Sequence, residues 1–325
     1  MEIDEKFYES EWREGFLVES KMKRFWAAEI EVLEEIRRIC IKHDIKFYAD
    51  WGTLLGTVRH KGFIPWDDDL DICMLRNDLN RFIEIAPKEL KAPFELRNIQ
   101  IDVDHDQVIS RVINGRHMNF DKEHLEKFHF CPFSAGIDLF PIDYLPRDTR
   151  RRKEQDEIFR VLMTTASSLS PEPPYNDDDY DVVNKLEEMT GFSVDWNNRL
   201  YHEIKRMIDN VCAKYESKDA DEVCAFMRFY WDKEYHLPKE WYSEIIELPF
   251  EYTTVPVPIG YKQILQKKYG DDYMIPINKG GGHNYPVYEE QEVALKEIME
   301  QEFNVKMTLA DIQKIIDLKV LENKC

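Results

Sequence analysis

The chain has 325 residues, 43% of them hydrophobic, enough for one large domain or two modest ones. Lys and Arg total 44 against 64 Asp and Glu, a formal net charge of −20. That balance excludes the basic footprint of a nucleic-acid binder and a broadly basic membrane-binding surface. No apolar run reaches the roughly 18 residues of a membrane-spanning helix, and the acidic start MEIDEKFYES does not read as a secretory signal. The expectation is a cytoplasmic protein that meets the membrane, if at all, peripherally at its inner face. Cys40, Cys73, Cys131, Cys212, Cys224 and Cys325 form no CxxC pair and read as reduced thiols.

Residues 1 to about 20 are acidic and aromatic and read as a helical arm. Met22, Phe25, Trp26, Ile30, Leu33, Ile36 and Cys40 then recur at helical spacing, which predicts one buried stripe ending near His43. Lys46-Phe47-Tyr48-Ala49 reads as a short strand. Gly52-Thr53 breaks it, and Leu54, Leu55 and Val58 begin a helix. Glycine lets the backbone approach a ligand closely, Thr53 is placed to cap the helix, and a helix N-terminus forms an anion site. Arg59, His60 and Lys61 add positive charge nearby.

Asp67, Asp68, Asp69 and Asp71 come next. Strand alternation puts Asp69 and Asp71 on one face, with Leu70 and Ile72 on the other. Carboxylates that close repel unless a cation lies between them. Mg²⁺ suits such a place, because it takes a few carboxylates and completes its shell with water and phosphate oxygens.

Asn77 or Asp78 caps a helix carrying Leu79, Phe82 and Ile83, which should stop before Pro87. Phe94–Leu96 and Val108–Ile113 read as strands; Arg111 in the second is either a surface residue or a phosphate contact. In the strand Gly136–Phe140, Asp138 faces away from Ile137 and Leu139. It reads equally as a metal-site carboxylate and as a strand-end residue capping a turn at Pro141. Asp143 reads as a turn residue. Residues 150–168 read as a helix, and Ser170–Asp181 as a loop whose Asp177-Asp178-Asp179 is a solvated charge run. Helices over 182–190 and 195–217 are expected to pack beside the sheet and help form an acceptor site. Phe250–Pro258 reads as an edge strand, Tyr261–Tyr269 as a helix stopped by Gly270, and Gly280-Gly281-Gly282 as a loop over the ligand. Lys268 and His283 are candidate phosphate contacts. Helices over 287–302 and 308–322 close the chain. The catalytic motifs all precede residue 284, so this tail is expected to stay out of the chemistry.

The run GTLLGTVRHKGFIPWDDDLDI resembles the signature of the LicD-like phosphotransferases, relatives of the fukutin-type enzymes within the nucleotidyltransferase superfamily. GIDLFPIDYLP resembles a second motif of that family, and VPIGYKQILQKKYGDDYMIP with His283 resembles its C-terminal motif. Asp50-Trp51 departs from the pattern, which has small or apolar residues before the glycine. Asp271-Asp272 and the glycine run depart as well. The resemblance implies an α+β (α/β-like) fold: a nucleotidyltransferase-type mixed β-sheet flanked by helices. The resemblance covers about residues 30 to 283; the chain is expected to divide into a catalytic core at 1–150, a helical insert at 151–249, a motif at 250–284 completing the core, and a helical extension at 285–325. The resemblance implies Mg²⁺, with Mn²⁺ as a substitute, held by Asp69, Asp71 and Asp138. It implies donor contacts from Gly52, Thr53, Arg59, Lys61, Arg111, Lys268 and His283. The implied reaction moves a phospho-alcohol group such as phosphocholine from a CDP-activated donor to a glycan hydroxyl and releases CMP. The implied acceptor is a cell-surface glycan of the teichoic acid or lipopolysaccharide kind, or its lipid-linked precursor. The same residues also fit a nucleotidyltransferase moving NMP to a protein or small molecule, and a non-catalytic metal- or nucleotide-binding protein.

Overall fold

A computed structural model describes residues 3–278, 285–303 and positions 308, 311 and 314. The N-terminal arm is not a helix. After a short 3₁₀ turn at Glu5–Tyr8, β1 (Glu11–Arg13) and β2 (Phe16–Val18) form an antiparallel hairpin. Glu14 and Gly15 both have positive φ, 49° and 78°, as a tight two-residue hairpin turn requires. Helix α1 (Ser20–His43) follows and buries Trp26, Ile30, Leu33 and Ile36, as the spacing predicts. Asp44 ends it in the left-handed conformation, φ 50°.

β3 (Tyr48–Ala49), α2 (Trp51–Arg59), β4 (Leu70–Leu75) and α3 (Arg76–Glu89) come next. α3 continues through Pro87 into its last turn instead of stopping before it. β5 (Glu95–Arg97), β6 (Ser110–Ile113), α4 (Lys122–Lys127) and the ten-residue β7 (Gly136–Leu145) complete the first part of the sheet. Its order is β3-β4-β7-β6-β5, with β4 and β7 parallel and the other pairs antiparallel. α5 (Thr149–Ser168), α6 (Asp177–Thr190) and α7 (Leu200–Cys212) lead to β8 (Glu222–Cys224), α8 (Phe226–Trp231) and β9 (Leu237–Pro238). β8 pairs with the far end of β7, and β9 pairs with β8. Pro141, which has no N–H to donate, falls between the β6 pairing, which ends at Leu139, and the β8 pairing, which starts at Asp143. β10 (Ile245–Phe250) and β11 (Thr253–Pro258) form a separate hairpin, then come α9 (Tyr261–Tyr269) and α10 (Glu289–Phe303). The fold is α+β, a mixed sheet flanked by helices.

One apolar cluster joins α1 to the sheet through Trp26, Ile36, Ile72 and Leu139. A second joins α5, α7 and α8 through Phe159, Leu162, Ile204, Met207 and Phe226. Each fully buried side chain of this kind contributes about 1.5–3 kcal/mol. The second helical prediction, 195–217, shortens to α7 because residues 217–219 form a separate 3₁₀ turn. The acidic run Asp177-Asp178-Asp179 is the first turn of α6. There Asn176 Oδ1 accepts from the Asp179 N–H at 3.1 Å, and Asp179 Oδ2 accepts from the Asn176 N–H at 2.9 Å. Acids belong at that end of a helix dipole. Among the described residues no helix is long and apolar enough to cross a membrane. Cys40, Cys73, Cys131, Cys212 and Cys224 are unpaired and buried. The predicted helix over 308–322 and its apolar stripe lie outside the described residues, apart from the three isolated positions.

Candidate active site

The register of three strands builds the centre of the site. Asp71 on β4 is the partner of Asp138 on β7, and Asp138 is the partner of Arg111 on β6. Arg111 Nε lies 3.4 Å from Asp138 Oδ1. Gly136 makes room for that arginine: a Cβ there would meet Arg111 Nε at 2.7 Å and Ile113 Cγ2 at 2.8 Å. Asp69 stands one residue before β4. Its carboxylate converges with those of Asp67 and Asp68, one oxygen of each lying within 4.8 Å of the others. The sequence reading selected Asp69, Asp71 and Asp138 and left Asp67 and Asp68 without a role.

Asp71 is 9% exposed. Burial, then the negative charges of Asp69 and Asp138, hold its carboxyl well above the usual carboxylate range. A buried carboxyl crowded by like charges is what a divalent cation relieves, and an all-oxygen donor set suits a hard cation. The residues present therefore fit Mg²⁺ or Mn²⁺.

α2 closes the site from the other side. Its N-cap is Asp50, not Thr53. Thr53 is buried within the helix, and its hydroxyl accepts the Asp71 N–H at 2.7 Å, while the Asp50 N–H donates to the Asp71 carbonyl at 3.0 Å. Gly52 lies against Asp67, where a Cβ would stand 2.2 Å from Asp67 Oδ2. The departure at Asp50-Trp51 has a partner from the far end of the chain. Lys268 on α9 pairs with Asp50 Oδ1, the two side chains being 2% and 1% exposed, and its ammonium lies 4.0 Å from the Trp51 ring centroid. Lys268 is thus enclosed between Asp50 and Trp51, not extended toward a ligand. Arg59 is committed too: its Nη1 donates to the carbonyls of Tyr273 at 3.1 Å and Ile275 at 3.4 Å. Lys61 is exposed in the turn after α2, with φ 59°. His283 lies outside the described residues.

Asp143 is no turn residue. It is 1% exposed inside β7, and its two oxygens accept from Arg76 Nε at 2.5 Å and Arg76 Nη2 at 3.2 Å. Arg76 Nη1 donates to Asp209 on α7 at 2.8 Å. The triad ties α3 and β7 to the second apolar cluster.

A cavity of about 1070 Å³ opens beside Asp138 and Arg111. Arg97, Arg116, His105 and His117 line one side; Val287, Ala294, Leu295 and Ile298 line the other. The tail therefore reaches the site, against the sequence expectation. The Val287 N–H donates to Asp68 Oδ2 at 2.6 Å, and Tyr288 stacks on Phe133 with ring centroids 4.5 Å apart. No local pattern marks this docking.

Residues 44–150 match the family model described as LicD/FKTN/FKRP, nucleotidyltransferase domain. Through that domain the chain resembles the LicD family. The matched LicD segment runs from the C-cap of α1 into the first turn of α5 and holds Asp69, Asp71, Arg111 and Asp138. Over 253 residues the chain is 24% identical to the lipopolysaccharide cholinephosphotransferase LicD of Haemophilus influenzae, covering 76% of this chain and 89% of that one. An uncharacterized protein of Rickettsia typhi is 33% identical over 99 residues, 29% of this chain and 32% of its own. One of Rickettsia prowazekii is 40% identical over 58 residues, 18% and 22% respectively.

Proposed function

We propose that this chain is a transferase that moves a phospho-alcohol group, of the phosphocholine type, from a CDP-activated donor to a hydroxyl of a surface glycan or its lipid-linked precursor. The observation that carries this reading is the rung Asp71–Asp138–Arg111 at the edge of a large cavity. It is supported by the likeness along most of the chain to a protein named as a lipopolysaccharide cholinephosphotransferase.

The acceptor occupies the cavity, with its hydroxyl toward Asp138. Its oxygen attacks the phosphorus of the phospho-alcohol group. The bond from that phosphorus to the CMP oxygen breaks, CMP leaves, and a phosphodiester forms. Asp138 takes the hydroxyl proton at its carboxylate, and Arg111 orients that carboxylate. The donor diphosphate lies at the N-terminal end of α2, near Gly52. Asp69, Asp71 and Asp138 would hold Mg²⁺, which when bound would supply positive charge to the diphosphate and the departing phosphate. Arg97 and Arg116 give the cavity a basic wall suited to an anionic glycan.

The test is incubation with CDP-choline, CDP-ribitol, CDP-glycerol and CTP, with a surface glycan extract and Mg²⁺, followed by ³¹P NMR. The reading predicts CMP and a new phosphodiester from one CDP-alcohol. Pyrophosphate from CTP with a nucleotidylated product would replace it by nucleotidyl transfer.

A further inference from the structure

The acidic centre has a neighbour that the strand pattern does not reveal. Glu29 on α1 is 1% exposed, and its Oε2 has no hydrogen-bond partner among the described residues. A buried carboxylate oxygen without a donor is costly. Its place is fixed by Trp26, one turn earlier on the same helix face, whose Nε1 donates to the Asp67 carbonyl at 3.2 Å. α1 therefore lies on the acidic loop, and Glu29 is the next side chain along that contact. Burial, then the charges of Asp69 and Asp68, push the Glu29 carboxyl well above the usual carboxylate range. Arg111 opposes them, but that guanidinium faces Asp138. Local patterning hides this residue, because Glu29 sits between Ala28 and Ile30 in a helix read for its apolar stripe.

We propose that Glu29 is a further carboxylate of the cation site, delivered from α1 to the ion held by the Asp67–Asp71 segment. This rests on the reading that the acidic centre binds a divalent cation. It gives α1 a role in the site besides packing the sheet, and it accounts for a buried acid whose Oε2 has no hydrogen-bond partner among the described residues.

The test uses the full chain with Mn²⁺ as probe, measured by electron paramagnetic resonance and by melting temperature. Glu29→Gln keeps shape and removes charge. It should melt at or above wild type without metal, bind Mn²⁺ at least ten-fold more weakly, and lose most of the Mn²⁺-induced rise in melting temperature. Glu29→Asp should fall between the two. Wild-type Mn²⁺ affinity in Glu29→Gln, alongside lost affinity in Asp71→Asn, would overturn this proposal and leave the cation site standing. Unchanged affinity in both variants, or no binding by wild type, would overturn the site itself. A Mn²⁺-soaked crystal of wild type decides independently of how the variants fold. Glu29 bound to the ion or to one of its waters supports the proposal, and Glu29 out of reach of both overturns it.

Discussion

Asp71 and Asp138 are partners across a parallel strand pair, 67 residues apart in sequence, and no strand separates their carboxylates. A parallel pair needs a long crossover. Here the crossover carries β5 and β6, and so delivers Arg111 to the next rung. Replacing Asp71 by Asn should relieve like-charge repulsion. The apo variant should melt at or above wild type, while its gain in melting temperature with Mg²⁺ largely disappears. Differential scanning calorimetry with and without Mg²⁺ checks both.

The Arg76–Asp143–Asp209 triad makes a separate claim about stability. Breaking a buried pair by removing one partner leaves an uncompensated charge and costs about 3–5 kcal/mol. Arg76→Ala should lose that much in urea unfolding. Asp143→Ala should behave alike, with each variant far below an exposed control such as Lys122→Ala.

The same physics separates two roles for Lys268. If its ammonium serves Asp50, Lys268→Met should destabilise strongly, and Asp50→Asn with Lys268→Met should recover most of the loss. A thermodynamic cycle on the four proteins measures the coupling. Additive losses, with a raised KM for donor in Lys268→Met, would return the lysine to the phosphate.

These long-range pairs mark the boundary of what the sequence makes legible. α1, the β4 acids and Asp138 announce themselves because periods of 3.6 and 2 are local signals. The Glu14-Gly15 hairpin also had a local signal, a glycine just before the apolar run Phe16–Val18, which the acidic composition of the arm obscured. Asp143 and Lys268 carried none. Their partners lie 67 and 218 residues away, and only the fold brings them together. The docking of α10 beside Asp138 is of the same kind, since its side chains in the cavity are ordinary residues of a helix.

His124 supplies a pH dependence. It is 7% exposed, its ring centroid is 4.6 Å from that of Phe128, and burial lowers its pKa below the ordinary value near 6.5. Its neutral form thus contributes stability that is fully present above about pH 6.5 and is lost as pH falls through the depressed folded value. Between pH 7.5 and 5.5 this contribution should lower the melting temperature of wild type relative to that of His124→Leu, since the raised carboxyls of Asp71 and Glu29 act alike in both proteins.

Ala294 tests the cavity. Ala294→Trp should fill space beside the basic wall, cut acceptor-dependent turnover at least ten-fold, and leave Mn²⁺ affinity unchanged. Equal turnover would remove the cavity from the reaction.

The most direct measurement is Mg²⁺-dependent release of CMP from the preferred CDP-alcohol, in the presence of acceptor, by wild type, Asp71→Asn, Asp138→Asn and the triple variant Asp177→Asn, Asp178→Asn, Asp179→Asn. The Asp71–Asp138 rung predicts losses on the order of 100-fold or more in the first two, within the range of general acid–base catalysis, with both variants folded. The triple variant should stay within a few-fold of wild type, because Asp177 and Asp178 are exposed and Asp179 half-buried on the first turn of α6, away from the Asp71–Asp138 rung. Near-normal turnover in folded Asp71→Asn or Asp138→Asn at saturating Mg²⁺ would contradict the account.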